Sequence, residues 1–243
     1  MSGVYERSLL LGSEHVDRFR RLRTSTLFAL LQTASIRHTE ELGMGRDKTL
    51  DRGLLWVIAR QNLVVARMPV YDERVTLRSW PGETMRVLFP RYYELLSADG
   101  ETLVRGSAVW SLMDAETRAT AFPDEYGVEI AGMENGRELP CLVKLTRTET
   151  TEAFDFTVPH SYVDLNGHMN NTRYFDVVED RLPAVNDGKM LREARVEYHA
   201  EARLGDALHV SWGEHDGGYY VNAETDVPCF RMNLRYGGED GHA

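Results

Sequence analysis

Residues 163–182 read VDLNGHMNNTRYFDVVEDRL. From Thr172 onward this stretch sets Tyr174, Phe175, Val177, Val178 and Leu182 on one side at helical spacing, which predicts a helix with one buried face. Short strand-like segments follow: LREARVEYHAEA, DALHVSWGE, GGYYVNAETD and PCFRMNLRYG. The same plan stands earlier in the chain. Val16-Asp17 precedes a helix predicted over Ser25 to Leu42, in which Leu27, Leu30, Leu31 and Ala34 recur at helical spacing and Gly43 supplies the stop. After Gly53 come LLWVIARQNLVVARMPV, DERVTLRSW, RVLFPRYYELLSADG and ETLVRGSAVWSLMDAET, a meander punctuated by Pro81-Gly82 and Asp99-Gly100.

Val163-Asp164 echoes Val16-Asp17 at an offset of 147 residues, Ser211-Trp212 echoes Ser79-Trp80 at 132, and Tyr219-Tyr220 echoes Tyr92-Tyr93 at 127. Three matches in one order, at the same points of a helix-then-meander plan, read as a tandem duplication. One helix against an antiparallel sheet, twice over, predicts an α+β pseudo-dimer whose sheets join edge to edge and hide a strand edge. Residues from about 124 to 152 read as the connection, so the predicted division is 1–145 and 146–243.

Composition narrows the function. The 243 residues carry 28 Lys+Arg against 38 Asp+Glu, a formal charge of −10, which argues against a coat for nucleic acid or an anionic membrane. With 42% hydrophobic residues the chain can bury a core, and no apolar run approaches the ~20 residues of a membrane span. The opening MSGVYERSLLLG has no signal-peptide pattern. Cys141 and Cys229 stand far apart and give neither a zinc spacing nor a disulfide framework, so the expected compartment is a reducing cytoplasm and the expected metal content is none.

The densest polar cluster is Asp164, Asn166, His168, Asn170 and Asn171. Asn170 and Asn171 fit helix capping. Asp164, Asn166 and His168 alternate, so an extended segment would present a carboxylate, a carboxamide and an imidazole on one face, beside the N–H groups of a helix start. Such a face can hold a polarised carbonyl oxygen; the alternative is a polar loop with a surface histidine. At offset 147 the trio maps onto Asp17, Phe19 and Arg21, which fits one working and one retired site. Hydrolysis also needs a base. The segment VEYHAEARLGD offers Glu197 and Glu201, and at offset 132 Glu201 maps onto Pro69; the alternative for Glu201 is solvated surface.

These segments together resemble the acyl-acyl carrier protein thioesterases, a double hotdog family of plant plastids and bacteria. LLWVIARQNLVVARMPVYDERVTLRSWPGE is similar to the family's Trp-containing strand and hairpin, YYELLSADGETLVRGSAVWSLMDAETR to its next hairpin, VDLNGHMNNTRYFDVVED to its active-site loop and helix, and VEYHAEA to the strand bearing its last catalytic acid. The resemblance implies a tandem hotdog fold, with an N-terminal acyl-chain unit whose own site is degenerate and a catalytic C-terminal unit. It assigns catalytic roles to Asp164, Asn166, His168 and Glu201. The family often carries a cysteine after the glutamate, where this chain has Ala202, which leaves a water-based mechanism and puts Cys229 in the core. The implied activity is release of fatty acid from acyl carrier protein, in fatty acid biosynthesis, with no cofactor. An acyl-CoA hydrolase, a non-catalytic acyl-binding module and, more weakly, a hotdog hydratase are the alternatives. Leu27, Leu30, Leu31, Ala34 and Trp56 are the candidates to line the acyl slot, with plain core packing as the other reading of each. Acyl carrier proteins are acidic, so Arg18, Arg20, Arg21 and Arg23 are the candidate docking run, or else a solvated face. A homodimer is left open.

Overall fold

The computed structural model describes residues 3–134, 136–140 and 144–238. Its strands are β1 (Tyr5–Leu10), β2 (Leu54–Val65), β3 (Arg74–Pro81), β4 (Leu88–Ser97), β5 (Thr102–Asp114), β6 (Glu152–Thr157), β7 (Met190–Tyr198), β8 (Ala207–His215), β9 (Gly218–Glu224) and β10 (Pro228–Gly237). Its helices are α1 (Thr24–Glu41), α2 (Pro123–Tyr126), α3 (Arg173–Glu179) and α4 (Pro183–Asn186). All ten strands form one antiparallel sheet in the order β1-β3-β4-β5-β2-β7-β10-β9-β8-β6. The order reads the same from either end once β6–β10 are matched to β1–β5. This is the edge-joined α+β pseudo-dimer the duplication predicts and the tandem hotdog the resemblance implies.

The seam is self-complementary. Across β2 and β7, Leu63 pairs with Ala194 and Gln61 with Val196, while Asn62 faces Arg195 at the centre. Each pair is the image of the other under a shift of 133 residues, so the pseudo-twofold axis passes through the Asn62–Arg195 pair. Joining the halves here leaves only β1 and β6 as sheet edges.

Register also tests the dipeptide echoes. Leu10 pairs with Arg74 and Thr157 with Ala207, so β3 and β8 correspond at an offset of 133, not 132. Trp80 and Trp212 therefore lie on equivalent strands but one residue out of phase, which turns them to opposite faces. The tyrosine pairs are likewise one residue out of phase: Ser79 faces Tyr93 and Trp212 faces Val221, which sets β4 and β9 at 128. Only the Val-Asp echo is in register.

Both long helices lie on one face of the sheet. α1 ends where expected: Gly43 takes φ 78°, and its N–H donates to the Glu40 carbonyl. Phe28 of α1 stacks on Phe175 of α3 at 4.0 Å between ring centroids, tying the two halves together within the core. α3 is shorter than predicted. Pro183 forces Leu182 into an extended conformation (ψ 124°), so the helical pattern breaks before Leu182 and resumes as α4. The connection crosses the opposite face of the sheet: the Leu145 N–H donates to Glu197, the Trp80 indole N–H to Glu138, and Ser107 to the Pro140 carbonyl.

Candidate active site

Residues 164–169 form a loop that fastens to itself and to residue 202. The Asp164 carboxylate accepts the Asn166 N–H at 2.8 Å, and the Asp164 N–H donates to the His168 carbonyl at 2.9 Å. Gly167 takes φ 81°, a left-handed conformation that glycine adopts without cost, and donates to the Asp164 carbonyl. The Met169 N–H donates to the Ala202 carbonyl at 2.7 Å. That last bond sets His168 beside Glu201, and His168 Nε2 lies 3.0 Å from a Glu201 carboxylate oxygen. Asp164 thus shapes the loop through hydrogen bonds. Asn170 closes the turn before α3 and does not cap the helix itself: its carbonyl oxygen accepts both the N–H and the hydroxyl of Thr172, and Thr172 is the helix's N-cap residue.

The second partner of Glu201 was not found in the sequence. The Arg118 guanidinium contacts the same carboxylate oxygen that faces His168. Arg118 comes from the turn after β5, in the first half of the chain, and has φ 61°. Asp114 builds that turn by accepting the N–H groups of Glu116 and Thr117 and the Thr117 hydroxyl. The Thr117 N–H bond is the main reason the Asp114 carboxyl sits below its usual range. The signal in the sequence was Asp114-x-x-Thr117, a side-chain-stabilised turn with a cation directly behind it. The site is therefore composite, with its acid and imidazole from one repeat and its guanidinium from the other.

The first repeat keeps the loop and loses the chemistry. Asp17 accepts the N–H groups of Phe19 and Arg21, its own N–H donates to the Arg21 carbonyl, and Arg20 stands at φ 63° where Gly167 stands in the other copy. The Leu22 N–H donates to the Pro69 carbonyl at 2.7 Å, as Met169 does to Ala202. Pro69 thus corresponds to Ala202, and the counterpart of Glu201 is Met68, one residue before the position that the Ser-Trp offset assigned.

Family models match most of the chain: the acyl-ACP thioesterase N-terminal domain over residues 2–130 and the C-terminal domain over 145–228. The chain belongs to the acyl-ACP thioesterase family. Among curated relatives, the chloroplastic palmitoyl-acyl carrier protein thioesterase of Cuphea hookeriana is 25% identical over 216 residues, 82% of this chain and 52% of the relative. The chloroplastic dodecanoyl-[acyl-carrier-protein] hydrolase of Cinnamomum camphora is also 25% identical, over 88% of this chain and 62% of its own length. The chain spans about half the length of the first of these and under two thirds of the second. The fold is shared with an acyl-ACP thioesterase from Bacteroides thetaiotaomicron (TM-score 0.84, 22% identity, 98% of this chain and 100% of that one). It is shared equally with the 12:0-ACP thioesterase from Umbellularia californica (TM-score 0.83, 20% identity, 98% of each chain).

In this member of the acyl-ACP thioesterase family, a cavity of about 320 Å³ opens beside the loop at residues 164–169, with Leu165 and Asn166 in its wall. The Asn166 carboxamide makes no hydrogen bond among the described residues, so its donors are available to a ligand oxygen. Trp56 lines the cavity and packs edge-on against Phe89 at 4.8 Å. Leu27, Leu30, Leu31 and Ala34 do not line it. Leu27, Leu31 and Ala34 are fully buried in the core, and Leu30 packs against that core. The stripe of α1 that faces the cavity is Gln32, Ser35, Ile36 and Thr39, turned around the helix from the core stripe.

The arginine run lies elsewhere. Arg18, Arg21 and Arg23 border a second cavity of about 570 Å³, together with Phe19 and Met68, so this is the pseudo-symmetric counterpart of the candidate site. Met68 is twelve residues beyond Trp56 along β2 and its continuation, which at ~3.3 Å per residue separates the two sites by up to about 40 Å. The side chains are also engaged: Arg18 donates to the Asn186 carbonyl, Arg21 to Gly188, Arg23 to Val16, and Arg20 lies over the Tyr71 ring. The run does not border the candidate catalytic site. In the wall of this second cavity Glu179 accepts hydrogen bonds from the hydroxyls of Thr24 and Tyr236. Burial pushes its carboxyl up to about 7.

Glu197 points to the opposite face of the sheet from the helices, where it is buried, accepts the Leu145 N–H and lies 3.6 Å from Arg60. Because β7 ends at Tyr198, Glu201 does not share its face. Cys229 is buried, and desolvation raises its thiol pKa, the opposite of what a nucleophile needs. Cys141 lies outside the described residues.

Proposed function

We propose that this protein hydrolyses fatty acyl thioesters carried on acyl carrier protein, using Glu201 as the general base. The observation that carries the reading is the Glu201 carboxylate held between His168 and Arg118, in contact with the loop whose Asn166, two residues before His168, lines a largely apolar cavity with its carboxamide unengaged among the described residues. Glu201 takes a proton from water as the water oxygen attacks the thioester carbon. The carbonyl oxygen becomes an oxyanion, to which Asn166 donates. When the C–S bond breaks, the proton held by Glu201 passes by way of His168 to the leaving sulfur. Asp164 keeps the loop in shape for these steps, and the acyl chain occupies the cavity beside Trp56. The four residues given these roles, Glu201, His168, Asn166 and Asp164, are those the resemblance assigns.

The relatives are named as hydrolases of palmitoyl- and dodecanoyl-acyl carrier protein, which supports that carrier over coenzyme A. Docking is reassigned to basic side chains near the catalytic cavity, Arg46 in its wall and Arg118 beside Glu201, since the Arg18–Arg23 run is remote. The lack of a disulfide framework in the sequence supports a cytoplasmic setting, and no helix among the described residues is long and apolar enough to cross a membrane. The division into an acyl-chain unit, 1–145, and a catalytic unit, 146–243, belongs to the same proposal, amended by the contribution of Arg118 from the first.

The test is free-acid release from acyl carrier protein and coenzyme A bearing the same acyl groups. Glu201→Gln is expected to lower kcat by about 10²–10⁴-fold, the usual worth of a positioned base. Turnover within a few-fold of the parent would remove Glu201 from the mechanism, and a higher kcat/KM on coenzyme A would change the carrier.

A further inference from the structure

Besides Glu40 and Arg46, which are exposed and paired with Arg37 and Asp51, the wall of the catalytic cavity contains a buried charge that an apolar chain does not need. Arg91 of β4 lines it and is only 4% exposed. Its Nη1 donates to His38 Nδ1 at 3.0 Å and to the Ser79 hydroxyl at 3.2 Å, and its Nη2 to the Thr39 hydroxyl at 3.2 Å. All three acceptors are neutral groups or, for the imidazole, an acceptor only when its Nδ1 is unprotonated. No carboxylate pairs with Arg91 among the described residues. Burial alone holds its pKa below the usual guanidinium value. Two of its five donors, Nε–H and one Nη2–H, have no acceptor among the described residues, which leaves charged donors for a ligand carboxylate.

Retaining a buried guanidinium without a counter-charge costs free energy unless something supplies that charge. The position of Arg91 says where on a ligand the charge would be. Arg91 pairs with Ala108, Ala108 with Gln61 and Gln61 with Val196, so the four stand in one row across the sheet. Glu201 is five residues past Val196. With ~4.8 Å between strands and ~3.3 Å per residue, the Arg91 and Glu201 backbones are roughly 20 Å apart. A thioester held at Glu201 and Asn166 would bring the far end of its chain, not its carbonyl end, toward Arg91.

From this geometry we infer that the cavity accepts acyl chains whose distal end carries a carboxylate, with Arg91 as the group that recognises it. The protein is then an ω-carboxyacyl thioesterase, releasing a dicarboxylic acid. Hydrolysis itself is unchanged: water adds to the thioester carbon, the C–S bond breaks, and the distal carboxylate takes no part in bond making. Thr39, which shares the cavity wall with Arg91 and accepts from it, has its own hydroxyl hydrogen to donate to the same end. The inference rests on the thioesterase reading for its reaction, but not for its binding site.

The experiment therefore has two arms. In the first, acyl carrier proteins loaded with methyl-ended and carboxyl-ended chains, matched in length from octanoyl to hexadecanoyl, are hydrolysed by the wild type and by Arg91→Met. The expected result is a kcat/KM at least tenfold higher for the carboxyl-ended chain at the best length in the wild type, reversed in Arg91→Met. A wild type that prefers the methyl-ended chain at every length overturns the inference and leaves the thioesterase reading intact. In the second arm, free hexadecanedioic and hexadecanoic acids, and their shorter homologues, are titrated calorimetrically into both proteins. Tighter binding of the diacid in the wild type, at least tenfold weaker in Arg91→Met, upholds the site even where nothing is hydrolysed, in which case only the reaction is wrong. Equal binding of diacid and monoacid by the wild type overturns it.

Discussion

Glu179 makes the stability of this protein depend on pH in an unusual direction. Its carboxyl, enclosed between Thr24 of the first repeat and Tyr236 of the second, titrates near 7 in the fold, against an ordinary value of 4.5. The raised value means that the folded state holds the proton more tightly than the unfolded chain does. Between pH 4.5 and 7 the folded state keeps a proton that the unfolded state has released, so stability falls as pH rises across that window and levels off above it. A displacement of that size corresponds to about 3 kcal/mol at most, at ~1.4 kcal/mol per unit. Glu179→Gln preserves the hydrogen-bonding groups and removes the titration. Urea unfolding of both proteins, followed from pH 4 to pH 8.5, isolates the effect, because every other titrating group cancels in the difference. The variant should gain on the wild type by up to about 3 kcal/mol between pH 4.5 and 7, then hold a constant advantage. A difference independent of pH would show that Glu179 is hydrated in the fold and that the Thr24–Tyr236 enclosure does not perturb it.

Other expectations concern the catalytic cluster. Arg118→Gln should lower kcat by about ten- to thirtyfold with little change in KM, since a charge-assisted bond worth ~1.5–3 kcal/mol is discounted by partial exposure of both partners. Arg118→Lys should recover part of the loss, and an unchanged kcat in Arg118→Gln would reduce the contact to a surface ion pair. Replacing Cys141 and Cys229 with serine should leave turnover within a few-fold, while the buried Cys229→Ser change costs ~1–3 kcal/mol of stability. Loss of turnover with the fold preserved would put a thiol in the reaction.

The duplication was legible because loops that fasten a chain back on itself keep their polar anchors in both copies, as Asp17 and Asp164 do. The Ser-Trp and Tyr-Tyr echoes lay within strands, where a dipeptide names a strand but not a face, and both came out one residue adrift. Asp164, His168 and Glu201 converge because the Met169–Ala202 backbone bond joins their segments. Arg118 escaped notice because it approaches from a turn of the other repeat, and nothing local to the D-x-N-x-H pattern points to it. The candidates on α1 lie away from this cavity for a simpler reason. Apolar periodicity identifies the stripe that packs against the sheet, whereas the stripe facing a cavity is mixed in character and carries Gln32, Ser35 and Thr39. Basic composition alone placed the docking run, and composition does not record which end of a β-sheet a loop occupies.

The preserved loop at residues 17–22 gives every experiment on this protein an internal control. It has the same backbone bonds as the loop at 164–169 and sits in the same tube, at the same pH and under the same denaturant, but it lacks the carboxamide, the imidazole and the facing glutamate. Amide protection that rises in both loops when a ligand is added reports tightening of the whole scaffold. Protection that rises only at 164–169 reports occupation of the polar loop itself. A molecule that has kept the fold twice and the reagents once can thus separate the two contributions without a single substitution.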